Sequence, residues 1–89
     1  MKITQRASAG TMESSDAYVE IEPGTDGIQL QLESVVMEQF GEDIDRTVRE
    51  LLADLSVENA NIRVVDRGAL ECVIRARVET AVLRGKGRD

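Results

Sequence analysis

Two spacings of apolar residues divide the chain into an initial region of strands and a remainder that carries helices. Residues 17–22 and 28–33 alternate apolar and polar positions, which is typical of half-buried strands. A weaker alternation over residues 1–12 predicts one more short strand. Clusters of turn-forming residues at 13–16 and 23–27 separate these runs. The first third therefore predicts a three-stranded meander with a hairpin at each turn.

Further along, apolar residues recur every three or four positions, the stripe of an amphipathic helix. This stripe predicts a helix entered at Gly41, and a start as early as Ser34 stays open. Residues 62–65 then predict a strand, which the crossover helix would bring parallel to the third strand. A second stripe predicts a helix over 69–84, with a strand over 69–76 as the alternative, since apolar residues also alternate there.

The element order β-β-β-α-β-α indicates an α+β fold: a small mixed sheet of about four strands with both helices on one face. A length of 89 residues predicts a single domain over residues 1–89, with residues 85–89 as a frayed tail. Asp66 is a candidate cap for the second helix, and Gly85 is a candidate stop. The predicted core comprises Val19, Ile21, Ile28, Leu30, Leu32, Ile44, Val48, Leu51, Leu52, Ile62, Val64, Ile74 and Val78.

Composition excludes several classes of function. With 11 basic and 17 acidic residues the net charge is −6, and aromatic residues make up 2%, which argues against a nucleic-acid partner. The absence of histidine removes the commonest general base and metal ligand, so we expect no catalytic set and no metal site. No apolar run approaches a membrane span. A single cysteine favours a reduced, cytoplasmic setting.

Most charged or reactive side chains have simple structural interpretations. Cys72 is expected to be a small core residue, as free cysteines usually are. Arg75 and Arg77 are expected to coat a helix or to pair with acidic side chains. Glu13 and Asp16 are expected to be solvated carboxylates on a turn. None of these residues predicts an active site.

Ser14 and Ser15 are the exception, since they are adjacent hydroxyls on a predicted turn flanked by acidic residues. Without a base in the chain, such a serine cannot act as a nucleophile unaided. It can serve as a substrate for another enzyme, which would phosphorylate it or attach a swinging arm to it. An ordinary turn is the alternative that residue types alone leave open.

Several stretches, taken in order, make the chain resemble a known family. They are Met1-Lys2-Ile3, Ala9-Gly10-Thr11-x-Glu13-Ser14-x-Asp16, Gln39-Phe40-Gly41, Asp66-x-Gly68-Ala69-Leu70-x-Cys72, and Ala76-Arg77 followed by Glu79. Over residues 1 to about 84 the chain resembles the acyl carrier protein, or gamma subunit, of citrate lyase. A more distant resemblance is to the carrier subunit of malonate decarboxylase.

The resemblance implies a carrier domain that is modified at Ser14. In the family, the matching serine carries 2′-(5″-triphosphoribosyl)-3′-dephospho-CoA through a phosphodiester, and the thiol of that group holds acetyl or citryl. The implied partners are the alpha and beta subunits of citrate lyase and the transferase that attaches the group. Many relatives have Gly after the modified serine, whereas this chain has Ser15, which makes Ser15 a rival acceptor. A protein-binding adaptor without a covalent group is the alternative from another class.

Overall fold

The computed structural model describes residues 1–87 of the chain, and its elements follow the predicted order. The α+β class and the sequence β-β-β-α-β-α are confirmed. Arg88 and Asp89, the end of the predicted frayed tail, lie outside the described residues. The elements are β1 (Ala7–Gly10), β2 (Ala17–Glu22), β3 (Ile28–Ser34), α1 (Met37–Asp54), β4 (Ala60–Asp66) and α2 (Glu71–Gly85).

The four strands form one mixed sheet in the order β1-β2-β4-β3. β1 and β2 form the predicted hairpin, and β4 lies parallel to β3, as a crossover helix requires. The second predicted hairpin is wrong, because β4 lies between β2 and β3 and pairs antiparallel with β2. The meander is therefore interrupted. β4 has the largest share of buried residues among the strands, and its central position gives it a paired strand on each side. β3 is half-exposed and lies at the edge of the sheet.

The core lies on one face of the sheet, between the strands and both helices. Alternate residues of β2 and β4 point into it, which confirms that the helices share one face. Most of the predicted core is buried, but Ile28, Leu30 and Leu32 are only partly buried, since β3 is an edge strand. Several small or terminal residues were left out of the predicted core, although Ala17, Ala81 and Val82 lie in phase with the apolar pattern of their elements. The buried residues outside the predicted core include Ile3, Ala9, Ala17, Val57, Ala60, Val65, Ala81 and Val82.

The first helix begins at Met37, four residues before the predicted entry at Gly41. Ser34 Oγ accepts a hydrogen bond from the Val36 amide at 3.1 Å, which closes the turn between strand and helix. Gly41 lies inside the helix, where a Cβ would come within 2.9 Å of the Met37 sulfur. Gly41 therefore does not mark the start of the helix.

The second helix spans Glu71–Gly85, so the strand alternative for residues 69–76 is wrong. Leu70, placed in the apolar stripe by sequence, precedes the helix and is 72% exposed. Gly85 ends the helix as predicted, and it is buried rather than part of a tail, since the Thr4 and Gln5 amides donate to its carbonyl. Neither helix within residues 1–87 has the length and apolar character that crossing a membrane would require.

Candidate functional site

The two candidate serines lie at the tip of the β1–β2 hairpin, in a segment that we call the serine turn (residues 11–16). The Asp16 amide donates to the Glu13 carbonyl at 3.2 Å, which closes a four-residue β-turn. Ser14 occupies its second position, and Ser15 occupies the third with φ of 66°. A positive φ at the third position alone is the pattern of a type II turn. Both serines are exposed.

A β-bulge anchors the serine turn to the residues that follow β4. The Ser15 amide donates to the Arg67 carbonyl at 2.8 Å, and the Arg67 amide donates to the Asp16 carbonyl at 2.9 Å. Ser15 and Asp16 thus lie opposite the single residue Arg67. This is the pattern of a β-bulge whose first position, here that of Ser15, adopts a left-handed conformation and favours glycine. Ser15 occupies it at a cost of about 1–2 kcal/mol.

The Asp16 carboxylate stabilises the serine turn through several hydrogen bonds, contrary to the expectation that it would be solvated. Its side chain is 15% exposed and accepts two hydrogen bonds of 3.0 Å from Arg77, through Nε and Nη2. Thr11 Oγ1 donates to the same carboxylate at 2.6 Å, and the Ala17 amide donates at 2.7 Å. The Thr11 hydroxyl, then Arg77, then the Ala17 amide lower the pKa of Asp16 from 3.8 to about 2.

Gly10 allows the chain to enter this turn. Its φ is +91°, and a Cβ at this position would lie 1.9 Å from the Ala17 carbonyl oxygen. Thr11 follows, and its hydroxyl also accepts a hydrogen bond from the Glu13 amide at 3.2 Å. The segment from Gly10 to Asp16 is therefore a built structure, in which the motif residues support the exposed serines.

Asp66 organises the other side of the bulge. It is 1% exposed, and its carboxylate accepts hydrogen bonds from the Ser34 hydroxyl at 2.8 Å and from the Gly68 and Ala69 amides at 3.2 and 2.8 Å. The prediction that Asp66 caps α2 is wrong, because Leu70 is the N-cap residue and has no side-chain cap. Asp66 fixes the turn between β4 and α2, and this turn positions Arg67.

The other sequence candidates lie outside the serine turn or do not form a site. Cys72 is exposed rather than buried, because it lies on the solvent side of the first turn of α2. Arg77 pairs with an acidic side chain, one of the two roles expected for it. The roles of Thr11 and Arg67 were missed. Arg67 meets the turn through pairing between segments distant in the chain, and the hydrogen bonds of the Thr11 hydroxyl depend on the backbone conformation of the turn. Within residues 1–87, no cluster of three acidic or sulfur ligands is arranged for a metal.

Comparison with known proteins places this geometry in a family. The family model for acyl carrier proteins described as "Malonate decarboxylase delta subunit (MdcD)" matches residues 4–85. Citrate lyase acyl carrier protein 2 of Salmonella paratyphi A is 55% identical over 85 residues, which cover 94% of this chain and 88% of that protein. Citrate lyase acyl carrier protein of Escherichia fergusonii has the same identity and coverage.

Solved structures share the fold. A chain of a Pseudomonas malonate decarboxylase hetero-tetramer in complex with malonate superposes with a TM-score of 0.78 at 25% identity, over 94% of this chain and 91% of that chain. A mevalonate kinase of L. major matches with a TM-score of 0.52 at 18% identity, over 89% of this chain and 30% of that chain, and shows a likeness of fold alone.

Together, the fold and the matches define the class as a small acyl carrier domain of the kind described by the family model. The chain belongs to this family, and the relatives that share more than half of its residues are citrate lyase acyl carrier proteins.

Proposed function

We propose that this chain is the acyl carrier subunit of citrate lyase and that Ser14 is the residue that carries its prosthetic group. The observation that carries the proposal is the position of Ser14: an exposed hydroxyl on a braced turn, in a chain 55% identical to citrate lyase acyl carrier proteins. The whole of residues 1–89 acts as one carrier domain.

The geometry of the serine turn fits a bulky covalent group. Ser14 lies at the outer corner of the turn, with its side chain open to solvent, so a large substituent would not displace the core. The bulge at Ser15 and the Asp16–Arg77 pair hold that corner in one conformation. A rigid anchor with a free exit suits an arm that must reach more than one active site.

The donor of the group is 2′-(5″-triphosphoribosyl)-3′-dephospho-CoA, whose CoA portion would supply a thiol for acetyl and citryl groups as thioesters. In the attachment step Ser14 Oγ bonds to the first phosphorus of the triphosphate. The bond from that phosphorus to the next bridging oxygen breaks, and diphosphate leaves. The hydroxyl proton passes to a base of the attaching transferase. The product is a phosphodiester, so the chain itself supplies only the acceptor oxygen and its positioning.

The chain contributes tethering rather than catalysis to the complex. Cleavage of citrate needs a general base and stabilisation of developing charge, and partner subunits supply both. Tethering raises the effective concentration of the thioester at each partner site. The proposed partners are the alpha and beta subunits of citrate lyase, and the proposed setting is the cytoplasm. No nucleic acid and no membrane are involved.

A malonate decarboxylase-like complex is the second candidate. It is favoured by the family description and by the structural match to a chain of the Pseudomonas hetero-tetramer. The identity of that match is 25%, against 55% for the citrate lyase proteins, which supports citrate lyase as the first choice.

Intact-mass spectrometry of the chain, produced together with the attaching transferase and its donor, tests the attachment site. We expect the wild type and Ser15→Gly to gain the mass of the group and Ser14→Ala to gain none. Ser15→Gly is the matched control because glycine suits the positive φ at this position. An adduct on Ser14→Ala would move the assignment to Ser15. An unmodified wild type would favour the adaptor.

An activity assay tests the division of labour. Purified modified chain is mixed with citrate and a divalent metal, with the alpha and beta subunits present or absent. We expect oxaloacetate only when both subunits are present. Oxaloacetate from the modified chain alone would contradict the carrier role, and decarboxylation of malonate in place of citrate cleavage would favour the second candidate.

A further inference from the structure

Arg67 is the cationic residue bonded directly to the serine turn through the backbone. Its carbonyl accepts from the Ser15 amide, and its amide donates to the Asp16 carbonyl, so it lies opposite these two residues in the bulge. Residues opposite one another in an antiparallel pair have Cβ atoms about 4.5–5.5 Å apart. The long Arg67 side chain therefore starts within reach of the corner that carries Ser14.

Most basic side chains among residues 1–87 already have a partner, but Arg67 does not. The partnered arginines are Arg6, Arg46, Arg49, Arg63 and Arg77 in salt bridges and Arg84 on the Ser8 carbonyl. Within the described residues, the exposed Arg67 side chain makes no salt bridge and no hydrogen bond. Lys2 and Arg75 likewise have no partner within residues 1–87, but neither is bonded to the serine turn.

The acidic side chains of the serine turn create a need for a positive charge near Ser14, which Arg67 can supply. Asp16 is neutralised by Arg77, which is occupied by that pair, whereas Glu13 is exposed beside Ser14 and has no cationic partner among residues 1–87. A phosphate on Ser14 would be repelled by Glu13 unless a cation offset it. Guanidinium groups bind phosphate oxygens through paired N–H donors.

We propose that Arg67 binds the phosphate that joins the prosthetic group to Ser14, and so orients the first bonds of the arm. This inference rests on the proposed function, because it requires a phosphodiester at Ser14. Arg67 is a positioning residue for the anchor of the arm, and its backbone bonds to the serine turn exist before the group is attached.

Thermal unfolding of modified and unmodified protein tests the contact without any activity assay. In the wild type, we expect the phosphate contact to raise the Tm of the modified protein relative to that of the unmodified protein. Arg67→Gln, which removes the charge but leaves the backbone bonds, should lower that difference by about 1–4 °C. Arg67→Lys should restore part of it. The loss should vanish in about 1 M salt, where the screening length falls to roughly 3 Å.

Lys2→Gln is the matched control, because it removes one unpaired positive charge near Pro23 and Gly24, at the other end of β2. It should leave the Tm difference unchanged. A second readout is the Arg67 Nε–Hε resonance, which should shift on modification of the wild type, while the same resonance of Arg75 stays in place.

The outcomes separate this inference from the proposed function. An adduct mapped to Ser14, with equal Tm differences in wild type and Arg67→Gln and an unmoved Arg67 resonance, would overturn the inference alone. Absence of an adduct at Ser14 would overturn the proposed function and this inference together.

Discussion

The serine turn and the loop of residues 23–27 are built from similar turn-forming residues, yet they do different work in the sheet. Both are docked on β4, at its opposite ends. The serine turn exchanges backbone hydrogen bonds with Arg67, just beyond the last residue of the strand. In the loop, Gly27 accepts from the Ala60 amide at 3.0 Å and donates to Asn59 Oδ1 at 2.9 Å, where the strand begins.

The difference lies in what each segment connects. The serine turn joins two strands that pair with each other, and a carboxylate–guanidinium pair from α2 stiffens it. The 23–27 loop joins two strands that β4 separates, and hydrogen bonds of Gly27 with the Asn59 side chain and the Ala60 amide position it. Turn composition therefore predicts where the chain reverses, whereas strand pairing decides whether the reversal becomes a hairpin tip that can present a functional group.

Replacing a glycine in each segment should give the largest contrast. Gly10→Ala should destabilise the protein by about 2–4 kcal/mol, because the φ is positive and the new Cβ would clash with the Ala17 carbonyl. Gly27→Ala also meets a positive φ, but no atom lies within 4 Å of its Cβ. Its cost should be about 1 kcal/mol. Urea unfolding of both variants measures the difference, and equal losses would contradict the tight construction of the serine turn.

The pH dependence of stability should report the hydrogen bonds that the Asp16 carboxylate accepts in the serine turn. The pKa of Asp16 is lowered from 3.8 to about 2, so its contribution to stability is fully present above pH 3.8 and is lost as the pH falls toward 2. Thr11→Val removes the hydroxyl that lowers this pKa most, and should move the value back toward 3.8. A carboxyl-carbon NMR titration of Asp16 measures the midpoint.

Thr25→Val makes the same side-chain change in the 23–27 loop. It should leave the Asp16 midpoint unchanged, since Thr25 makes no contact with that carboxylate among the described bonds. An Asp16 titration that is identical in wild type and Thr11→Val would show that the hydroxyl does not brace the turn.

The smallest predicted effect is a gain. Ser15→Gly should stabilise the protein by about 0.5–1 kcal/mol, because relief of left-handed strain exceeds the extra chain entropy that glycine loses on folding. Ser56→Gly relieves a similar φ of 58° beyond the end of α1 and should gain about as much without affecting modification at Ser14. A loss of stability in Ser15→Gly, measured by urea unfolding, would mean that the Ser15 side chain has a contact that the turn needs.

Much of the fold follows from the local pattern of apolar residues, and the residues whose burial was predicted wrongly lie near the start of α2. Alternation identified the strands, and the three-and-four spacing identified both helices, because each period reflects which side of an element meets the core. The helical stripe placed Leu70 on the apolar face, and the usual burial of free cysteines placed Cys72 in the core, yet both are exposed. At the first turn of α2, the apolar pattern continues into solvent, so periodicity overestimates burial there.

Part of the candidate site could likewise be predicted from local sequence, and part of it could not. The sequence indicated an exposed turn with Ser14 as the candidate acceptor, since turn-forming residues and a family resemblance act over a few positions. Thr11 lies in the same stretch, but its hydrogen bond to Asp16 depends on the backbone conformation of the turn, and Arg67 could not be recognised in this way. Arg67 lies 52 residues from Ser15 along the chain, and only the pairing of β2 with β4 brings the two together.

The sequence by itself thus determined the element order, the apolar face of most elements and the location of the serine turn. The tertiary structure decided the strand order, the bracing of Asp16 by Arg77, and the position of Arg67 beside the serines. The physical reason is that secondary structure follows from the period of neighbouring side chains, whereas strand pairing depends on which assembly buries the most apolar surface over the whole chain. That assembly placed β4 in the centre of the sheet, and the site formed where its end meets the hairpin.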